Sequence, residues 1–421
     1  MPPRKIELAL FASFLVLAIL LNSVGAVALH VQQSYGVAAS EAGLLAVCKS
    51  AGILAASLFA ALWINRLGYR RTMLGSLGAL AALCAVVPFA SSFTLFKLLF
   101  AACGVAFAAI KISVYGTVGL ITKSPRQHAS MLSFLEAFFT FGAVAGSLLF
   151  GVFTDALHPE STSWLRVFFV LAALSVVAWA LLLGAPLDES RLHAASRRAG
   201  RAERPGAFHL TLEGVVLVFG GCVFLYVMLE QSTMNWLPTF NVRVLHFSAR
   251  HSIQLAALLT LAMTLGRLVG AVVLRRTAWF PVLATCLVVA ALLVLLGLVV
   301  TRDLDATGAP SGAARLAVFV FPLVGFFVGP IYPAINSAVL ASLPVEKHGP
   351  LASLGVIFSA GGSSLGTWLV GCLMEAYGGR AALYFALLPI LGLLVFLRFL
   401  HRRTGAMAPG PVSPSMAGVA E

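Results

Sequence analysis

Five ionisable side chains, Lys49, Lys111, Glu136, Glu230 and Arg267, sit inside long apolar runs of this chain. A charge in such surroundings is costly and rare, so each is a candidate working group. Lys111 lies 11 residues before the end of one run and Glu136 eight residues into the next, with the short segment 123–127 between them. On helices this puts them ~16 Å and ~12 Å from the connecting turn, at depths that allow pairing. Two readings stand. The pair is static and only neutralises buried charge, or it opens when Glu136 takes a proton or an anion arrives, which makes it a switch.

Glu230 is followed by Gln231, Ser232, Thr233, Asn235, Trp236 and Pro238. This polar run predicts a helix that breaks where it lines a cavity. The alternative places the run in the outer headgroup zone, where Trp is common. Lys49, ~13 Å from the outer end of its helix, can face Glu230 as an outer gate. Arg267 is expected to hold structure, against carbonyls or a neighbouring loop. Asn22, Gln32, Tyr115, Tyr332 and Asn336 offer neutral hydrogen bonds to a hydroxylated solute, although each alone is more often a packing residue.

Enzyme chemistry finds no support. Gly362-Ser363-Ser364-Leu365-Gly366 fits the G-x-S-x-G pattern, but that nucleophile turn belongs after a strand, and here it interrupts an apolar helix. There is no phosphate-binding G-x4-GK[ST] loop. The six cysteines lie singly, without metal-ligand spacing. The expectation is no catalytic residue, no metal and no cofactor.

The elements that position these groups follow from composition. The 421 residues are 60% hydrophobic and 10% charged, with mean hydropathy +0.99. Soluble domains carry roughly 25% charged residues, so the chain reads as a polytopic helical membrane protein. Twelve runs are long enough to span, near 8–31, 40–64, 72–92, 94–122, 128–153, 164–186, 211–237, 251–274, 279–300, 316–342, 350–373 and 380–400. Pro330 and Pro333, with Gly325 and Gly329 nearby, predict a kink in the tenth. The first run is expected to stay in the protein. The arginine-rich stretch Asp188–His209 divides the chain near its middle and cannot bury enough apolar surface to fold alone. The expected organisation is an N-terminal six-helix bundle over 1–187, a cytoplasmic linker over 188–210, a C-terminal bundle over 211–403 and a disordered tail over 404–421. Most of the 28 Lys and Arg then fall on the side that carries both termini, which identifies that side as cytoplasmic and accounts for the net charge of +13 without nucleic acid.

A repeat supports two equivalent halves. Gly142, Gly146, Gly151 and Asp155 in the fifth run recur with identical spacing as Gly362, Gly366, Gly371 and Glu375 in the eleventh. Small residues at these intervals let neighbouring helices approach closely. Basic clusters recur as well, Arg66, Arg70 and Arg71 after the second run and Arg275 and Arg276 after the eighth.

The segment Asn65-Arg66-Leu67-Gly68-Tyr69-Arg70-Arg71 resembles the loop between the second and third helices of the major facilitator superfamily, with Asn65 where an acid is usual. Gly371-Cys372-Leu373-Met374-Glu375, with Gly378 and Arg380, is similar to the related element after the eleventh helix. Within the superfamily, Phe141-Gly142, Tyr226-x3-Glu230 with Asn235-Trp236-Leu237, Gly266-Arg267 and Tyr332-Pro333 look like the fucose–galactose–glucose:proton symporters, with Lys111 standing where that family carries an acid. The resemblance implies an all-α membrane protein of twelve transmembrane helices in two six-helix bundles. It implies a proton-coupled carrier of a small polar solute, a neutral sugar by default; two buried lysines against two buried glutamates leave room for an anionic sugar derivative. The expected solute contacts are Asn22, Lys49, Lys111, Tyr115, Asn235, Trp236, Tyr332 and Asn336. Glu136 and Glu230 would carry protons, and Asn65, Arg66, Arg70, Asp155, Arg267 and Glu375 would be structural or gating residues. The expected partners are the solute, protons and lipid, for a monomer in the inner cell membrane. The other readings are an exporter of drug-like or apolar compounds, and a non-transporting membrane sensor.

Overall fold

The computed structural model describes residues 3–89, 92–122, 125–185, 187, 214–301, 312–342 and 348–407. Among these residues the regular structure is helical throughout, because a chain this apolar satisfies its backbone hydrogen bonds only within each segment. The helices are α1 (Pro3–Asn22), α2 (Val24–Tyr35), α3 (Ala39–Leu67), α4 (Tyr69–Val86), α5 (Phe93–Ile121), α6 (Pro125–Phe153) and α7 (Val167–Leu183). They continue as α8 (Gly214–Arg243), α9 (Ala249–Val273), α10 (Trp279–Val300), α11 (Gly312–Val328), α12 (Ile331–Ser342), α13 (His348–Tyr377) and α14 (Ala381–Met407). Eleven spans among the described residues are long and apolar enough to cross a membrane, with α11 and α12 forming one of them. The twelfth is α4, whose 18 residues make ~27 Å of helix, close to the ~30 Å of a hydrocarbon core. The side carrying Pro3 and Met407 is termed the termini side below, and its opposite the far side.

The structure differs from the sequence reading at four connections. The first run is not one helix: it breaks at Ser23, where Asn22 Nδ2 donates to Ala18 O (2.8 Å) and Ser23 Oγ to Leu20 O (2.8 Å). These side chains take up carbonyls at the end of α1, so α2 can leave in a new direction. The expected loop 65–71 shrinks to Gly68, whose φ of 84° turns the chain directly into α4. The polar run after Glu230 does not break α8, which continues through Pro238 to Arg243. Its side chains are satisfied against a neighbour instead: Asn235 Nδ2 donates to Thr367 Oγ1 (3.1 Å) and Trp236 Nε1 to Thr367 O (2.7 Å). Finally, α14 runs to Met407, so the expected tail begins as helix. Residues 408–421 and 188–210 lie outside the described residues. The tenth span does break at Gly329–Pro330, between α11 and α12.

The glycine repeat has a structural counterpart in both halves. A Cβ at Gly142 would lie 2.9 Å from Leu15 O of α1, and one at Gly362 would lie 2.2 Å from Phe224 O of α8. The third glycines cross between halves: Gly151 faces Gln254 of α9, and Gly371 faces Ala39 O of α3 at 2.6 Å. The fifth span therefore packs on the first and eighth as the eleventh packs on the seventh and second. One pseudo-twofold axis relates them.

Buried side chains form two apolar clusters. One is drawn mainly from α1 to α7, with Phe14, Phe96, Phe100, Trp164 and Phe168 at its centre. The other lies among α8 to α14 around Phe219, Phe240 and Ile390. The halves meet through α3 with α13, α6 with α9 and α2 with α8. The close contacts on these pairs lie toward the far side. Arg243 Nη2 donates to Gln32 Oε1 (2.9 Å), and Ser40 N to Glu375 Oε2 (3.1 Å).

Candidate functional site

Two clusters of tyrosine, carboxylate and cation occupy the space between the halves. On the N-terminal side, α5 presents Lys111 and Tyr115 one helical turn apart, on one face. Glu136 of α6 meets both. Lys111 Nζ stands 3.1 Å from Glu136 Oε1, and Tyr115 OH donates to the same oxygen. The ammonium also lies 5.5 Å from the ring centroids of Phe107 and Tyr115, within cation–π range. The two charged side chains are 36% and 45% exposed, so this pair is open on one side.

On the C-terminal side, α8 presents Tyr226 and Glu230, again one turn apart. Tyr226 OH donates to Glu230 Oε1 (2.9 Å), and Arg267 Nη2 of α9 donates to the same atom (2.8 Å). Tyr332 of α12 packs its ring 5.3 Å from that of Tyr226. Glu230 is the enclosed member, 13% exposed against 42% for Arg267. Glu136 lies within electrostatic range of Arg267 and Glu230 within that of Lys49, with no ion pair across either gap among the described residues. Lys111, Glu136, Arg267, Glu230 and Lys49 thus form a string of alternating sign that passes from one half to the other and back.

Lys49 has a different partner from the one its depth suggested. Its Nζ donates to Gln231 Oε1 (3.2 Å) and Leu21 O (3.4 Å), while Arg267 takes Glu230. The reason is geometric: residues 230 and 231 leave α8 about 100° apart, and Gln231 is the one turned toward α3. Arg267 is therefore the partner of a central carboxylate, not a brace for a loop.

Beyond Gln231, toward the far side, a narrow crevice of about 20 Å³, room for roughly one water, separates the halves. Asn22, Ser23, Ser147, Gln231, Asn235 and Thr260 are its polar lining. Asn235 keeps one face on it. Trp236 is 1% exposed and packs between α8 and α13. Asn336 Nδ2 donates to Tyr332 O one turn back in α12, at 2.8 Å.

The expected gating residues divide as well. Arg70 caps α7, with Nη2 2.6 Å from Leu183 O and Nε 3.4 Å from Leu182 O. Glu375 ties α13 to α3 through Ser40. Asp155 instead closes its own far-side loop, accepting from the amides of Leu157 (2.9 Å) and His158 (3.2 Å). Those amides and the His158 ring hold its carboxyl below the ordinary Asp value of 3.8. Asn65 and Arg66 belong to α3, and their side chains lie outside the described residues. Sequence reasoning did not single out Tyr226 or Gln231 as site residues. The signal for Tyr226 was its i, i+4 spacing from Glu230, the same spacing that joins Lys111 to Tyr115.

Two six-helix halves with charged side chains paired inside their spans have the architecture of membrane transporters. The chain belongs to the Major Facilitator Superfamily, whose profile matches residues 8–367. A "Protein TsgA homolog" from Buchnera aphidicola subsp. Baizongia pistaciae (strain Bp) is 20% identical over 378 residues, 89% of each chain. Among solved structures, a variant of the nucleoside transporter NupG aligns over 96% of this chain and 100% of its own, with TM-score 0.72 and 15% identity. A bacterial homologue of the lysosomal transporter Spinster, inward-facing and occupied, covers 96% and 95%, with TM-score 0.70 and 14% identity. FucP in the outward conformation covers 94% and 98%, with TM-score 0.60 and 17% identity.

Proposed function

We propose that this protein is a proton-coupled secondary transporter that moves a small polar solute, a sugar or sugar derivative with an anionic form admitted, between the two sides of the inner cell membrane. The observation that carries the reading is the alternating charge string. In it Glu136 faces Arg267 and Glu230 faces Lys49 across the halves, beyond ion-pair contact, while Lys111 and Arg267 stay with their own carboxylates. Rocking 1–187 against 211–403 changes those cross-half separations, and each carboxylate's hold on a proton shifts with the distance of the second cation. Glu136 is the more exposed carboxylate and therefore the first loading site, with Glu230 as the relay.

The far-side contacts, together with the exposure of Lys111, Glu136 and Arg267, support a cleft open toward the termini side. The basic loops argue that this side is cytoplasmic. The cleft lies within one chain, which supports a working monomer. The sugar class is suggested by the D-xylose–proton symporter and FucP among the structural neighbours, as well as by the resemblance in sequence.

The test is gradient-driven accumulation of radiolabelled sugars and sugar acids in proteoliposomes. Accumulation that collapses with a protonophore is expected. Uptake that only equilibrates, unaffected by the protonophore, would contradict proton coupling.

A further inference from the structure

We propose that Lys49 is the anion-recognising residue of the cleft, and that the solute is a small polar molecule carrying a carboxylate or phosphate. The inference rests on the transport reading and deepens it by assigning the solute's charge.

The string holds three cations, Lys49, Lys111 and Arg267, against two carboxylates, Glu136 and Glu230. Lys111 and Arg267 each have a carboxylate within hydrogen-bonding distance. Lys49 does not. It is 4% exposed, and its two contacts are neutral oxygens, an amide and a backbone carbonyl. Among the described residues no acidic side chain pairs with it. The titratable groups close enough to act on it are Cys103 of α5 and Glu230 of α8, and Glu230 is already held by Arg267 and Tyr226. A buried ammonium with no counter-charge is the expensive member of a membrane interior, and the cost is offset when an anion replaces the neutral oxygens.

Its placement fits that exchange. Leu21 immediately precedes the α1–α2 break at Asn22 and Ser23, and Gln231 lines the crevice between halves with those two residues. Gln231 belongs to the C-terminal half, so opening the crevice withdraws it from Lys49 and leaves room for an anionic oxygen. The backbone of Lys49 is fixed: a Cβ on Gly104 would lie 2.0 Å from Lys49 O, so α5 packs directly on this turn. Only the side chain has to move.

The experiment uses the purified full-length protein in lipid nanodiscs, with matched probes: D-glucose against D-glucuronate and D-glucose 6-phosphate, and glycerol against lactate. Melting temperature and affinity are read for wild type, Lys49→Gln, Lys49→Arg and, as a control at a lysine outside the site, Lys97→Gln. At least one anion is expected to bind wild type at least tenfold tighter than its neutral counterpart. That preference should vanish in Lys49→Gln, persist in Lys49→Arg and survive in Lys97→Gln. A phosphate or a carboxylate preference identifies the anionic group. The assignment is overturned if no anion in the panel beats its neutral partner, or if Lys49→Gln keeps the preference while folding normally. Protonophore-sensitive uptake of a neutral sugar would sink this inference and leave the transport reading standing. Tight anion binding without any flux would do the reverse.

Discussion

Glu136 and Glu230 bind similar partners in different surroundings, and their variants should differ accordingly. The Lys111–Glu136 pair is more than one-third exposed on both sides, so its net contribution to stability is small, ~0–1 kcal/mol. Glu136→Gln should therefore melt close to wild type. It should lose gradient-driven uptake by at least ~10-fold while solute exchange at equal pH persists, which paired uptake and exchange assays would reveal. Loss of both activities would make Glu136 a solute ligand instead. Removing Arg267 is different, because Glu230 is enclosed. Arg267→Gln should cost on the order of 3 kcal/mol, and Arg267→Gln with Glu230→Gln should recover much of it. Thermal unfolding of the two singles and the double supplies that cycle, and strict additivity would mean that the pair does not interact. At this scale the sequence was informative about pairing within adjacent helices. Lys111 with Glu136 followed from a short turn and equal depth. Lys49 was assigned Glu230 rather than Gln231, because depth along a helix says nothing about which face a neighbouring residue presents.

The helices show which patterns translate into packing. Spacing of Gly142, Gly146 and Gly151 against Gly362, Gly366 and Gly371 foretold an internal repeat, and each third glycine marks a crossing between halves. Gly371→Val would push against Ala39 O and the Trp236 ring, 2.6 and 2.8 Å from its first added carbon. The far-side closure should loosen as a result. Spin labels at Glu41 and Tyr377, both exposed and on opposite halves, should report a population at longer distance than in wild type. An unchanged distance distribution would show that this contact does not hold the closure. The acid ending each motif behaves differently on the two sides, since Glu375 bridges to α3 while Asp155 closes a local turn. Because the folded carboxyl of Asp155 sits below 3.8, its contribution is present above the unfolded value and is lost as pH falls through the folded one. The melting difference between wild type and Asp155→Asn should thus be visible at pH 5–7, begin to shrink only below about pH 4, and fade as pH drops further through the folded value. Breaks within spans were only half legible. Pro330 with Gly329 ended α11, whereas Pro238 did not end α8, because Thr367 and the tight α13 contact hold its polar side chains inside the helix bundle. The break at Ser23 had no proline to announce it, only Gly25 two residues on and two side chains able to bond backward.

Taken whole, the fold was the most legible feature, since apolar runs of membrane-spanning length leave few alternatives to a helical bundle. The alternation of charge across the halves was not legible, because it depends on how two bundles face one another. That alternation is what connects local protonation to global rocking: each step of the string has its positive member on one helix and its negative member on another. Solute-evoked proton movement in proteoliposomes loaded with the pH dye pyranine tests this most directly. With D-glucuronate added outside, wild-type vesicles should acidify inside at a rate that scales with solute uptake, and Glu136→Gln vesicles should show no solute-evoked signal. Equal acidification by the two proteins, or solute uptake by wild type with no proton movement, would contradict the account.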